Sequence, residues 1–224
     1  MKRIGLFGGT FNPIHFGHLR PAEEIAEQML LEQVIFIPSA APPHKKKQDI
    51  LDAPLRLEMV RLAIADNARF ALSAVEAERS GTSYSIETVE HLRRQFGPDK
   101  GELFFIVGLD AFLEIDTWKE YRALFSLCHF VVMTRPGFEK IFSSEHLPVE
   151  LANEFCYDDR RKAFRHRSGF HVYPREITAL DISSTRIREN LRDGRSVRYL
   201  VPDRVEEFIR AHGLYRTKDK PLAP

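Results

Sequence analysis

An apolar run at Ile4–Phe7 opens directly into Gly8-Gly9-Thr10-Phe11-Asn12-Pro13-Ile14-His15-Phe16-Gly17-His18. Two glycines let a backbone come close to a ligand. A proline stiffens the turn that follows. A helix beginning near Gly17 and His18 would present free N–H groups and the positive end of its dipole, a setting that suits phosphate. The two histidines, three residues apart, can add directed donors at the same place. Three uses of the pair compete. Both rings can serve the loop, donating to its carbonyls. They can hold a metal with His44 as a third ligand. Or they can meet a phosphoryl group. The strand, glycine pair and turn favour phosphate over metal, because no Asp or Glu stands nearby to complete a metal triad. The stretch carries neither G-x-G-x-x-G nor G-K-[ST], so it is neither a dinucleotide fingerprint nor a Walker loop.

A second stretch points the same way. In Asp181-Ile182-Ser183-Ser184-Thr185-Arg186-Ile187-Arg188 three hydroxyls stand at the expected start of a helix and an Arg follows one turn later. Hydroxyls, free N–H groups and a guanidinium fork suit a polyphosphate. The plainer reading is a serine N-cap with a surface arginine. A third candidate is the basic run Arg160, Arg161, Lys162, Arg165, His166, Arg167. It can be read as an anion or nucleic-acid patch, or as a solvated loop.

The elements that must position these residues alternate. Strands are expected at 3–7, 33–38, near 70–76, 102–108 and 129–137. Helical spacing joins Leu19, Ala22, Ile25, Ala26, Met29 and Leu30; then Leu57, Val60, Arg61 and Ile64; then Ile86, Val89, Leu92, Arg93 and Phe96. Further helices are expected from near Ser183 and from Pro202 to Gly213, with Pro at the start and Gly past the end. Nearly continuous apolar strands alternating with helices predict an α/β, doubly wound, mainly parallel sheet covered by helices on both faces, a Rossmann-like fold. Ligands of such sheets bind beyond the carboxyl ends of the strands, where Gly8 and Gly9 fall. Residues 39–49 read as a loop. The alternation fails over 138–170, which is expected to be an insertion over the sheet edge within one domain spanning 1–216. Residues 217–224 are expected to form a flexible tail.

The bulk composition excludes several classes. Lys plus Arg number 33 against 32 acids, which weighs against a broad nucleic-acid footprint. Two cysteines, Cys128 and Cys156, stand in no metal or redox spacing. A reducing, cytoplasmic setting is therefore expected. The apolar run near the N-terminus is too short for a signal peptide, and no run of ~18 apolar residues exists to span a membrane.

The two stretches together resemble the nucleotidyltransferase superfamily marked by H-x-G-H, here His15-Phe16-Gly17-His18, and by I-S-S-T-x-I-R, here residues 182–188. "PSAAPPHK" at 38–45, "TSYS" at 82–85, "VGLD" at 107–110 with Trp118 beyond it, "TRPG" at 134–137 and "GLYR" at 213–216 resemble the bacterial nicotinate mononucleotide adenylyltransferases within it. The likeness spans residues 1–216. It implies adenylyl transfer from ATP to nicotinate mononucleotide with Mg²⁺, in the making of NAD. Mg²⁺ prefers phosphate oxygens and waters, so no protein metal ligands are expected; with near-neutral charge and no long apolar run, no nucleic-acid or membrane partner is expected, and a homo-oligomer is left open. Residue by residue, Gly8, Gly9, Thr10 and Phe11 would line the nucleotide phosphates, and His15 and His18 would contact those of ATP. Gly108 and Asp110 would hold the adenosine ribose. Ile182, Ser183, Ser184, Thr185 and Arg188 would grip the triphosphate, and Lys45 would reach a phosphate from its loop. Trp118 would stack on the nicotinate ring, with Tyr84, Ser85 and Arg135 nearby. His15, His18, Lys45, Arg188 and Mg²⁺ would supply positive charge. Asn12 stands where many members have Asp, and Ser85 where some have Thr.

Overall fold

The computed structural model describes residues 1–40, 50–79, 81–97, 101–137 and 142–216. Lys45, His44 and the 217–224 tail lie outside the described residues. The strands are β1 (Lys2–Gly9), β2 (Gln33–Pro38), β3 (Phe70–Leu72), β4 (Gly101–Gly108), β5 (His129–Thr134), β6 (Phe155–Asp158), β7 (Ala163–His166) and β8 (His171–Glu176). The helices are α1 (Phe16–Gln28), α2 (Ala53–Ile64), α3 (Ser85–Phe96), α4 (Leu109–Leu113), α5 (Tyr121–Leu124), α6 (Ser184–Arg192) and α7 (Asp203–Ala211).

The strands form one sheet in the order β3-β2-β1-β4-β5-β8-β7-β6. The first six in that order are parallel, and β7 and β6 are antiparallel to their neighbours. Parallel strands buried on both faces need apolar residues at every position, sorted by the two-residue period of the pleat. The sorting is plain. Ile4, Leu6, Ile35, Ile37, Leu103, Phe105, Val107, Phe130 and Val132 face one core with Ile86, Val89 and Leu92 of α3. Phe7, Val34, Phe36, Phe104, Ile106 and Val131 face the other, with α1, α2, α6 and α7. Gly5 keeps a gap on that second face: a Cβ there would meet Leu31 Cδ1 at 2.8 Å and Ile106 Cδ1 at 2.9 Å. The expected doubly wound class is what folds.

Three local expectations need correction. Within 138–170, expected as an insertion over the sheet edge, the described residues carry a β-hairpin that joins the sheet itself at that edge. The solvated-loop reading of 160–167 fails for Ala163–His166, which is strand β7 with Ala163, Phe164 and His166 buried. Four residues are too few for a period to stand out between charged neighbours. Strand β8 carries Pro174, which weakens a strand reading. The β7 ladder covers only His171 and Val172 of β8, so Pro174 stands beyond it. Finally, the buried stripe of α2 is Arg56, Met59, Val60 and Ile64, so an arginine occupies a position that apolar periodicity assigns to the core.

The strand order reverses between β1 and β4, the place where an open α/β sheet leaves a crevice. Gly8 and Gly9 end β1 and Gly108 ends β4, side by side at that crevice.

Candidate functional site

A cavity of about 430 Å³ opens at this crevice. Its floor is the ends of β1 and β4, with Gly8, Gly9 and Thr10 on one flank and Gly108 on the other. Tyr84 and Ser85, where α3 begins, and Trp118 also line it. The Trp118 ring is half-buried and meets Phe105 edge-on, with centroids 5.8 Å apart. That leaves ring surface toward the cavity. Asp110 is exposed in the first turn of α4, next to Gly108 and outside the cavity lining. Arg135 is exposed just past β5 and also outside the lining.

The histidines reach the same turn from α1. His15 precedes the helix in extended conformation (φ −154°, ψ 171°) and is buried. Its ring stacks on that of His18, centroids 3.8 Å apart. The His15 N–H donates to His18 Nδ1 over 3.3 Å. An accepting Nδ1 places the His18 proton on Nε2. Burial pushes the His15 pKa down to about 4, so its imidazole is neutral at pH 7. The expectation that His15 supplies positive charge is therefore corrected: it can offer a hydrogen bond and a dipole. His15 Nδ1 is buried with no hydrogen-bond partner among the described residues. Gly17 is required here by contact. A Cβ on it would stand 2.9 Å from His15 Nδ1 and 3.1 Å from the Ile182 carbonyl oxygen.

The structure assigns several expected phosphate contacts to building the turn. The Phe11 backbone is left-handed (φ 46°), and its ring is buried against Phe7, Phe36 and His18. Only its backbone remains to approach a ligand. The Ser183 hydroxyl caps α6 by accepting from Arg186 N. The Ser184 hydroxyl donates to the Pro13 carbonyl over 2.9 Å. Arg188 donates through Nη1 to the Asn12 carbonyl over 3.0 Å, and through Nη2 to the Thr185 hydroxyl over 3.3 Å. The start of α6 thus clamps the 10–13 turn, and Ile182 packs on Gly17 beside His15. These residues converge as expected, but their hydroxyls are engaged within the protein.

Sequence reasoning missed Arg56. It is buried, with its guanidinium donating to three carbonyls: Leu51 at 2.8 Å, Thr10 at 2.9 Å and Ala40 at 3.2 Å. It ties the turn to both ends of the 41–49 segment that carries Lys45. A charge at the i−3 and i−4 position of an apolar stripe was the available signal. Tyr215 donates to Asn12 Oδ1 over 2.8 Å, and burial pushes its pKa up. The "GLYR" ending therefore braces the same turn. Asn12 Oδ1 also accepts from Leu51 N. Glu76 forms part of the cavity wall, buried, its pKa raised by burial, and accepts from the Thr88 hydroxyl at 2.9 Å.

The glycine turn, the stacked His-x-Gly-His start of α1 and the clamp from α6 form one unit, and residues 6–190 match the cytidylyltransferase-like family model. The chain belongs to that family. Among curated proteins, the probable nicotinate-nucleotide adenylyltransferase of Geotalea daltonii is 50% identical over 213 residues, covering 95% of this chain and 98% of the relative. That of Geotalea uraniireducens is 51% identical with the same coverage. By these relatives the chain is a member of the nicotinate-nucleotide adenylyltransferase branch. A solved Plasmodium falciparum nicotinic acid mononucleotide adenylyltransferase, complexed with NaAD, superposes with TM-score 0.71 at 17% identity, covering 96% of this chain and 98% of that one. At that identity the likeness is one of fold. Among the described residues no helix is long and apolar enough to cross a membrane.

Proposed function

We propose that this chain transfers the adenylyl group of ATP to the 5′-phosphate of nicotinate mononucleotide, giving nicotinate adenine dinucleotide and pyrophosphate. The observation that carries the reading is the glycine turn and its histidine pair at the switch point of the sheet, next to a cavity walled by Trp118 and Tyr84. The naming of relatives about half identical over nearly the full length supports the same substrates.

A phosphate oxygen of the acceptor attacks the α-phosphorus of ATP in line. The new P–O bond forms as the bond to the bridging oxygen breaks, and pyrophosphate leaves with that electron pair. The nucleophile is already an anion, so no strong base is needed. The task is to align two anions and stabilise the charge that moves onto the leaving group. Gly8, Gly9 and Thr10 offer backbone to the phosphates. His18 Nε2–H donates to the departing oxygens, and His15 orients that ring by stacking and through its N–H. An arriving phosphate raises the low His15 pKa, so binding favours taking up a proton there. Arg188 holds the turn through Asn12 and adds a nearby positive charge. Lys45 would add its ammonium, Gly108 and Asp110 would hold the ribose, and the nicotinate ring would stack on Trp118 beside Tyr84 and Ser85. Mg²⁺ would ride on ATP phosphate oxygens and waters, which it prefers to an all-protein cage. When bound it neutralises phosphate charge.

The test is pyrophosphate release from ATP and Mg²⁺ with nicotinate mononucleotide and nicotinamide mononucleotide compared side by side. Preference for the acid is expected. Preference for the amide moves the acceptor, and release with neither overturns the reading.

A further inference from the structure

Three carbonyls of the turn after β1 are held from within the protein. Thr10 O accepts from Arg56, Asn12 O from Arg188 and Pro13 O from Ser184. Of the three holders only Arg56 is buried, at 1% exposure. It donates through all three guanidinium nitrogens, and each goes to a backbone carbonyl. Among the described residues no carboxylate bonds to it. Tyr215, Asp52 and Glu76 act on it only through space. A cation withdrawn from water without a bonded anion is costly to bury. Facing only carbonyls, it keeps attraction for an anion that arrives nearby.

The Thr10–Phe11 peptide is trans. In a trans peptide the N–H points opposite to the C=O. With the Thr10 carbonyl turned to Arg56, the Phe11 N–H is directed away from the guanidinium. That N–H has no hydrogen bond among the described residues, and Thr10 lines the cavity. We propose that Arg56 is a positioning residue for the ATP phosphates: by holding the Thr10 carbonyl it aims the Phe11 N–H at them, and its charge strengthens that donor. This rests on the adenylyl-transfer reading above and deepens it. The fork cannot swing, because the Leu51 and Ala40 carbonyls hold its other two nitrogens. Leu51 is itself tied back to the turn, its N–H donating to Asn12 Oδ1 over 3.3 Å. A cation bonded to a carbonyl polarises the peptide, and a polarised N–H is the stronger donor.

The experiment has two arms. The first uses the unmodified chain. Thr10-Phe11 is the only Thr-Phe pair in the sequence, so threonine labelled with ¹³C at its carbonyl and phenylalanine labelled with ¹⁵N single out this peptide by NMR. Saturation with ATP, or with inorganic pyrophosphate, should move the Phe11 amide proton downfield, as a new bond to an anion does. An unmoved resonance overturns the proposal. The second arm compares Arg56→Gln, which loses the charge, with Arg56→Lys, which keeps the charge without the fork. Both should melt lower, since Arg56 is buried, so binding is measured well below the melt. Arg56→Gln should weaken ATP binding by about 10- to 100-fold, the effect of one hydrogen bond to a charged group. Arg56→Lys should weaken it less. Adenosine, which carries no phosphate, should bind both variants as it binds the parent, read by ligand-observed NMR. Equal weakening of adenosine and ATP, or no weakening of ATP, leaves Arg56 a structural role alone and overturns the proposal. If neither variant folds, the first arm decides. ATP binding without pyrophosphate release with either mononucleotide overturns the adenylyl-transfer reading instead, so the two failures are distinct.

Discussion

Two buried histidine clusters sit at opposite ends of the sheet. At the carboxyl ends of the strands, His15 is stacked on His18. At the amino ends, His129 begins β5 and stacks on Phe104, centroids 4.8 Å apart. Burial pushes both His15 and His129 down to about 4. By burial and titration they look alike. They differ in what their nitrogens do. His129 Nδ1 accepts from His171 N over 3.0 Å, and its Nε2 lies 2.9 Å from Glu102 Oε1, so both nitrogens are engaged. His15 Nδ1 is buried without a hydrogen-bond partner among the described residues, and it lies against Gly17 at the start of α1. A perturbed pKa alone does not mark a site. Nor does an unbonded buried nitrogen, since both ring nitrogens of His171, stacked on His129, lack a hydrogen bond among the described residues too; position beside the glycine turn at the crevice does.

The largest test of that contrast is His18→Ala. It should lower kcat by about 10³-fold, as loss of one donor to a developing oxyanion does, while a thermal melt stays close to that of the parent. A near-normal kcat would end the assignment of His18. Gly17→Ala comes next. Its methyl would press on His15 Nδ1 and the Ile182 carbonyl, so kcat should fall by about 10²-fold from misplaced geometry. Stability should fall by only about 1–2 kcal/mol. At the other end, His129→Ala should reverse the pattern. It takes one of two partners from Glu102, which keeps Arg3, and leaves a gap beside Phe104, costing about 3 kcal/mol, or near 10 °C in Tm, with kcat unchanged.

The last test is of pH. Both histidines titrate lower in the folded chain than in the unfolded chain, where the ordinary value is near 6.5. Below pH 6.5 the unfolded chain therefore binds more protons, so stability falls as pH drops and this share of the loss is complete near pH 4. Denaturant melts across that window should show the slope, and His129→Gln should remove part of it. His15→Gln should remove a similar part while, unlike His129→Gln, also lowering kcat.

Much of this was legible in the chain. Nearly continuous apolar runs between helical stretches determined a doubly wound parallel sheet, because each strand must be buried on both faces. Gly8-Gly9, the His15–His18 spacing and the Ser183 cap determined where a crevice would meet a helix start, because those are local backbone requirements. The family resemblance rests on the same residues.

What the chain alone could not decide is which groups remain available. Ser183 and Ser184 read as phosphate ligands, but they are engaged with Arg186 N and Pro13 O. Arg56 carried no reading in the sequence, but it holds carbonyls 5, 46 and 16 residues away. His15 read as a cation, but burial keeps it neutral. Strand β7 read as a loop until β8 stood beside it. In each case the deciding partner is distant in sequence, or the deciding quantity is exclusion from water. Both arise only when the chain closes on itself.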